Sequence, residues 1–205
     1  MVLINDIKER LKKEEASPLG VYELYSVFIP LIKVEKRWQI IFEVRAEHLS
    51  TQPGEISFPG GAVEKGESRR EAAIRETREE LGVESDDLEL LGEMDFLVTP
   101  YNLLIYSYVG HIRLNTLQEI DFNSGEVEEI FAVPVDYILS ASPEKYNVKV
   151  ESQPEEGFPY HLIPHGREYD WRQGSYPVYF YQYEGYIIWG FTARLLKALA
   201  ELMKE

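Results

Sequence analysis

The apolar positions of this chain follow two periods, one suited to strands and one to helices. Residues 22–34, YELYSVFIPLIKV, read as a strand, and residues 38–45 as its hairpin partner. Residues 88–99 and 103–113 read as further strands, joined through Pro100-Tyr101-Asn102. Residues 131–135 form a strand or a strand end, and 136–139 begin a helical turn. Later, residues 176–183, YPVYFYQY, alternate as a strand does, and Glu184-Gly185 turns them into a last strand over 186–189. Helical spacing governs three other places. Ile4, Ile7 and Leu11 suggest a short amphipathic helix, and Phe191, Leu195, Leu199, Leu202 and Met203 form a stripe for burial after Gly190. In the middle, Ser68 is a good N-cap, Glu71 completes a capping box and Gly82 ends the turn, so a helix is expected over 69–81. Residues 142–175, rich in Pro, Gly and charge, are long for a simple loop and contain a hairpin or cover a site. This order predicts the α/β class, with a mixed sheet between helices in a single domain over residues 1–205.

The middle helix carries charge that its own stability does not explain. Glu76, Glu79 and Glu80 stand at i, i+3 and i+4 and share one side. Glu76 and Glu80 are about 6 Å apart along the axis. Ala72 leaves space on that side, and Ile74, Thr77 and Leu81 on the other can pack on a core. Like charges at this spacing destabilise a helix by a few tenths of a kcal/mol. Near the C-terminus they also oppose the macrodipole. A bare E-x-x-E-E is ordinarily a solvated face, with Arg75 and Arg78 as surface partners. Here the full spacing is G-x5-E-x7-R-E-x-x-E-E-x-G, built from Gly61, Glu67, Arg75, Glu76, Glu79, Glu80 and Gly82. A bound divalent cation is the natural counterweight to so many carboxylates.

Residues 61–83 resemble the signature box of the Nudix hydrolases, metal-dependent enzymes that cut nucleoside diphosphates linked to another group. The resemblance implies an α/β/α sandwich and a Mg²⁺ or Mn²⁺ ion. Glu76 and Glu80 would hold the ion, Glu79 would be a further ligand or the base, and the Gly60 carbonyl would join them. Arg75 would hold the carboxylates in position, and Glu67 would steady the loop or enter the metal network. Glu126, with Glu128 and Glu129, lies where the family often supplies a Glu and is a second candidate base. The family prefers an aliphatic residue at the position of Thr77. Just upstream, residues 41–61 are similar to the motif of the family's coenzyme A pyrophosphatases, L-L-T-x-R-[SA]-x3-R-x3-G-x3-F-P-G-G. Arg45, Ala46, Gly54, Phe58, Pro59, Gly60 and Gly61 match, whereas Glu43 replaces the Thr and Ser50 the second Arg. By this resemblance Arg45, Phe58 and Gly61 bind substrate. The reaction would split coenzyme A or an acyl-coenzyme A into adenosine 3′,5′-bisphosphate and (acyl-)4′-phosphopantetheine. ADP-ribose or another nucleoside diphosphate derivative is the alternative substrate, and a non-catalytic nucleotide sensor the alternative role. Residues 186–193, YIIWGFTA, are similar to a stretch this branch carries before its last helix, and read as core without direct chemistry.

Charge and composition narrow the partners. A net charge of −15 disfavours nucleic acid and anionic membranes. It also repels a nucleotide, so local cations such as a metal, Arg45, Lys65 or Arg69 must offset it. The chain has no cysteine, which excludes disulfides, thiolate catalysis and Cys-ligated zinc. It has no apolar run of about 18 residues. Its first residues lack a signal-peptide pattern, and Met203-Lys204-Glu205 is not a peroxisomal tripeptide. The expectation is a cytoplasmic enzyme acting on a small nucleotide, with a homodimer left open. The histidines show no ligand spacing. Tyr160, Tyr169, Trp171 and Tyr176 could stack a base or cover a pantetheine arm, with hairpin packing as their ordinary role.

Overall fold

The computed structural model describes residues 4–12, 18–20 and 23–204. Helix α1 (Ile4–Leu11) precedes the hairpin β1 (Glu23–Val34) and β2 (Arg37–Arg45). Two short strands, β3 (Ile56–Ser57) and β4 (Gly60–Ala62), lead into helix α2 (Arg69–Leu81). Strands β5 (Leu88–Glu93), β6 (Leu97–Val98), β7 (Leu103–Ile112) and β8 (Val127–Pro134) complete the main sheet, and α3 (Val135–Ser140) follows. A second sheet contains β9 (Glu144–Val150), β10 (Gly174–Tyr183) and β11 (Tyr186–Trp189), which runs into α4 (Gly190–Leu202).

The main sheet is mixed, as expected. β1 pairs in parallel with β7, from Glu23↔Leu103 to Ile32↔Ile112. Its other edge is divided between two antiparallel partners. Tyr25, Ser26 and Val27 face β4, and residues 31–34 face β2. Beyond Ile40, β2 parts from β1 and pairs with β3, Glu43 opposite Ser57 and Val44 opposite Ile56. Its opposite edge is covered by β8. Residues 56–62 therefore plug a seam between β1 and β2, pairing first with one and then with the other. The seam is where the carboxylates gather.

Alternating side chains divide the core into two layers. Phe28, Ile32 and Ile41 meet Ala73 and Leu81 of α2 on one face. Ile29, Ile40 and Phe42 meet Ala193, Leu195, Leu196 and Leu199 of α4 on the other. The sheet thus lies between helices.

Helix α2 begins and ends where its sequence directs. Ser68 Oγ accepts from the Glu71 N–H at 3.2 Å, and the Glu71 carboxylate accepts from the Ser68 N–H at 2.8 Å. Gly82 closes it in the left-handed region at φ 62°. Ser26 Oγ donates to the Arg69 carbonyl at 2.6 Å and ties the first turn to β1. The buried face differs from the expected one. It comprises Ala72, Ala73, Thr77, Glu80 and Leu81, while Ile74 is only half-buried. Two alanines let the helix approach β1 closely, and that approach carries Glu80 inward. Buried Thr77 is satisfied within the helix, donating to the Ala73 carbonyl at 2.7 Å.

Other expectations are corrected at their edges. The strand expected over 88–99 is broken. Met94 N–H pairs with the Ser107 carbonyl, and Ser107 Oγ donates to the Asp95 carbonyl at 3.1 Å, which separates β5 from β6. The strand expected at 131–135 begins earlier, at Val127. Helix α1 forms, but Ile4, Ile7 and Leu11 are exposed. On α4, Leu195 and Leu199 are buried as expected, whereas Leu202 and Met203 are exposed at the last turn. The 142–175 segment supplies one arm of a hairpin, since β9 pairs antiparallel with β10. Phe158 packs with Tyr160 at a ring separation of 5.0 Å and with Trp171 at 5.6 Å, and Tyr169 packs in turn on Trp171 at 5.0 Å. The expected start at Tyr22 lies outside the described residues.

Phe42 anchors the layer that faces α4. It is fully buried and stacks on Phe58 at 4.9 Å and on Phe131 at 5.4 Å. Phe42→Ala is expected to cost about 3–5 kcal/mol. Urea unfolding should show this as a lower midpoint with an unchanged slope.

Candidate active site

Arg75 organises the outer half of the site. A guanidinium has five N–H donors, and all find acceptors here. Nε and Nη2 take the two Glu67 oxygens at 2.9 and 3.1 Å. Nη1 bonds Glu76 at 2.8 Å and Glu79 at 3.1 Å, and Nη2 also reaches the Ala62 carbonyl at 3.2 Å. The two-pronged bond holds Glu67 below the usual carboxylate range and raises Arg75. It also fixes Glu76 against β4. A Cβ on Gly61 would lie 2.2 Å from Glu76 Oε1, so a larger residue there would displace the carboxylate.

The inner half has no such cation. Glu80 is buried, and its Oε2 accepts from the Gly60 N–H at 2.8 Å. Gly60 itself is wedged against β1, where a Cβ would lie 2.5 Å from the Ser26 carbonyl oxygen. Glu43, at the seam on β2, is 1 % exposed. Its Oε1 accepts from Ser57 Oγ at 2.8 Å, and its Oε2 is buried with no partner. Burial, reinforced by the field of Glu43, pushes Glu80 up to about 9. Burial likewise pushes Glu43 up to about 7 and raises Glu76. Glu126 adds to the repulsion on all three. Such a group must hold protons or receive a positive ion.

The donor chemistry fits a hard divalent cation. Carboxylate oxygens suit Mg²⁺ or Mn²⁺, and the orphaned Glu43 oxygen is a buried carboxyl atom without a partner. Among the described residues, no three His, Cys, Asp or Glu side chains are already gathered closely enough to enclose an ion. Holding one there would require the side chains to adjust around it.

The sequence-predicted residues divide into groups. Glu76, Glu80, Glu126, Arg45, Phe58, Gly60 and Gly61 line one cavity of about 680 Å³. Glu79 does not; its side chain is 54 % exposed and bound to Arg75. Glu67 belongs to the same outer network. The contact shown for Gly60 is through its N–H, not its carbonyl. Arg45 ends β2 at a bulge, and its Nε reaches the Thr51 carbonyl at 3.4 Å. Phe58 contributes to the wall, but its ring is spent on packing with Phe42. Glu128 and Glu129 are exposed, the latter accepting from the Tyr186 hydroxyl. Lys65 and Arg69 do not line the cavity, and Arg69 stacks over Tyr106.

Two features were missed by the sequence reading. Glu43 registered there only as a departure from a motif, although an acidic residue inside the apolar run IIFEV was a visible signal. The stretch expected to be pure core supplies Trp189, Gly190, Phe191 and Thr192 to the cavity wall. Thr192 Oγ1 donates to the Ile56 carbonyl at 3.0 Å and fixes α4 beside β3. Tyr176 also reaches the cavity, with its hydroxyl 3.0 Å from that of Tyr101.

Comparison with known proteins agrees with this arrangement. Residues 25–151, more than half the chain, match the family model described as NUDIX domain. The chain belongs to the Nudix family. Nudix hydrolase 3 of Caenorhabditis elegans is 37 % identical over 122 residues, which span 56 % of this chain and 48 % of that protein. This chain therefore accounts for about half the length of that relative. The peroxisomal coenzyme A diphosphatase NUDT7 of Mus musculus is 28 % identical across 99 % of this chain and 81 % of its own length. A crystal structure of a MutT/nudix family protein from Enterococcus faecalis superposes with a TM-score of 0.52 at 13 % identity. It covers 100 % of this chain and 71 % of that one, which supports the fold.

The raised carboxylates make the stability of the metal-free protein depend on pH. Glu80 binds its proton more tightly folded than unfolded, so its contribution is full below the unfolded value near 4.5 and is lost as pH rises towards about 9. Melting temperature in chelator should therefore fall across this window. Glu80→Gln should flatten the fall and raise the melting temperature at pH 8. Mn²⁺ should raise the wild-type melting temperature more than that of the variant. Parallel melting curves for both proteins from pH 5 to 9 would refute the assignment.

Proposed function

We propose that this protein hydrolyses the diphosphate bond of coenzyme A or an acyl-coenzyme A, using Mg²⁺ or Mn²⁺. The products would be adenosine 3′,5′-bisphosphate and (acyl-)4′-phosphopantetheine. The observation carrying this reading is a single cavity that joins the acidic face of α2 to Arg45 and to an aromatic wall of Tyr101, Tyr176, Trp189 and Phe191. The 41–61 motif and the near full-length similarity to the mouse coenzyme A diphosphatase support the substrate class. We also read residues 1–205 as one catalytic unit with a cytoplasmic location, although the mouse relative is named for the peroxisome. No helix among the described residues is long and apolar enough to cross a membrane.

Glu76 and Glu80 are the proposed ligands, with Glu43 behind Glu80 on the seam. A divalent cation held there would polarise phosphoryl oxygens and acidify a water. The Gly60 N–H keeps Glu80 oriented, and Arg75 positions Glu76 through Nη1. Glu126, on the same cavity wall, is the proposed acceptor of the proton from the attacking water. Glu79, exposed beside Arg75, is assigned a positioning role. Arg45 offsets charge growing on the phosphoryl oxygens.

Glu80→Gln is expected to lower turnover at saturating Mg²⁺ by about a hundredfold or more, on the order of 3 kcal/mol. Full activity of this variant, or undiminished wild-type activity in excess chelator, would overturn the metal assignment. Chromatography of the products should show coenzyme A cleaved with a kcat/KM at least about tenfold above that for ADP-ribose. If ADP-ribose yields AMP while coenzyme A stays intact, the substrate assignment fails and the family remains. Arg45→Ala should depress coenzyme A hydrolysis with little change in melting temperature; equal damage to both would make Arg45 structural.

A further inference from the structure

The cavity meets an anionic nucleotide with little positive charge. Among its described lining residues Arg45 and Arg194 are the cations, set against Glu55, Glu76, Glu80 and Glu126. The two arginines are held differently. Arg45 donates to a backbone carbonyl. Arg194, in the first turns of α4, has its Nη1 sealed from solvent with no hydrogen-bond acceptor. Burial lowers its affinity for the proton, and the groups acting on it are Tyr179 and Tyr176, not a carboxylate. Its guanidinium lies 5.9 Å from the centre of the Tyr176 ring. The Tyr176 hydroxyl is fixed in turn by Tyr101, whose ring stands 6.3 Å from Phe191.

An aromatic socket around a guanidinium with an idle donor is poorly satisfied by the protein alone. Burying that nitrogen without an acceptor is unfavourable. Arg194 also lines the cavity, so a phosphate there would meet its open side, and a small rotation of the planar fork would bring Nη1 to a phosphate oxygen. On the proposed function the scissile diphosphate would lie at the face built from α2 and β4, whereas Arg194 belongs to α4, which packs against β10. We propose that Arg194 binds a phosphomonoester that the substrate carries apart from its scissile diphosphate, with the guanidinium resting on Tyr176. This rests on the coenzyme A reading and extends it, because coenzyme A carries such a group on its ribose.

The test compares wild type, Arg194→Gln and Arg194→Lys with coenzyme A and 3′-dephospho-coenzyme A. Arg194→Gln is expected to lower kcat/KM for coenzyme A by about tenfold or more, mostly through KM. For the dephospho compound the change should stay within about twofold. Arg194→Lys should fall between the two, and melting temperatures should match the wild type. Equal losses on both substrates, or none, would overturn the proposal. Calorimetric binding of adenosine 3′,5′-bisphosphate and AMP supplies a readout independent of hydrolysis. The wild type should bind the bisphosphate more tightly, and Arg194→Gln should erase the difference. If neither coenzyme A compound is cleaved, the substrate reading has failed and the binding comparison decides for Arg194 on its own. A wild type that does not discriminate the two nucleotides, or a variant that still does, overturns it.

Discussion

Two carboxylates buried at the seam between β1 and β2 constrain the whole site. Glu80 comes from α2 and Glu43 from β2, and each has one oxygen satisfied by the chain that plugs the seam. The Gly60 N–H serves Glu80, and Ser57 Oγ serves Glu43. The same residues 56–62 that complete the pairing of β1 and β2 therefore also hold the acids. Buried charge without a partner costs several kcal/mol even after relaxation. The apolar layers on both sides of the sheet must offset it, and they do so with Phe28, Ile32 and Ile41 on one face and Ile29, Ile40 and Phe42 on the other.

Arg75 explains why this strain is confined to the inner half. It spends all its donors on Glu67, Glu76, Glu79 and the Ala62 carbonyl, and none on Glu43 or Glu80. Partial exposure limits what these ion pairs add to stability. Their effect is geometric: two acids are neutralised outside, and Glu76 is left between a cation and the cavity. The helix thus faces two ways, with its outer charges paired and its inner ones awaiting a positive partner.

Much of this was legible because it is local. The bounds of α2 follow from Ser68, Glu71 and Gly82, which act on backbone groups within one turn. The β1–β2 hairpin follows from apolar runs separated by a polar turn. Contacts remote in sequence were not legible. Glu43 gains its meaning from Ser57 and Glu80, and no local rule connects them. The wheel of α2 placed Thr77 and Leu81 in the core as observed, but it set Ala72 and Glu80 on the acid side and Ile74 on the packing side. It could not tell that Ala72, Ala73 and Glu80 would be buried while Ile74 stays half-buried. Glu79 sits beside Glu80 in sequence and near it on the wheel, yet the bond to Arg75 sends it outward. Likewise, the apolar look of residues 186–193 hid a cavity wall, because strands and pocket linings use the same aromatic residues. Tyr181 is buried in the core, whereas Tyr176 on the same strand opens into the cavity.

The charge pattern also constrains the order of events in the cavity. The chain carries a net charge of −15, and four acids line the cavity with two arginines. An anionic ligand entering alone meets repulsion from Glu76 and Glu126 that low local dielectric strengthens. A cation entering alone gains their attraction but displaces protons held by Glu80 and Glu43. Each ligand relieves the cost that the other faces, so a cation and a nucleotide sharing this space must strengthen one another's binding. Linkage makes that coupling reciprocal. The seam thus joins the fold to the proposed chemistry, because the repulsion that burdens the protein alone is also what would make a cation and a nucleotide cooperate there.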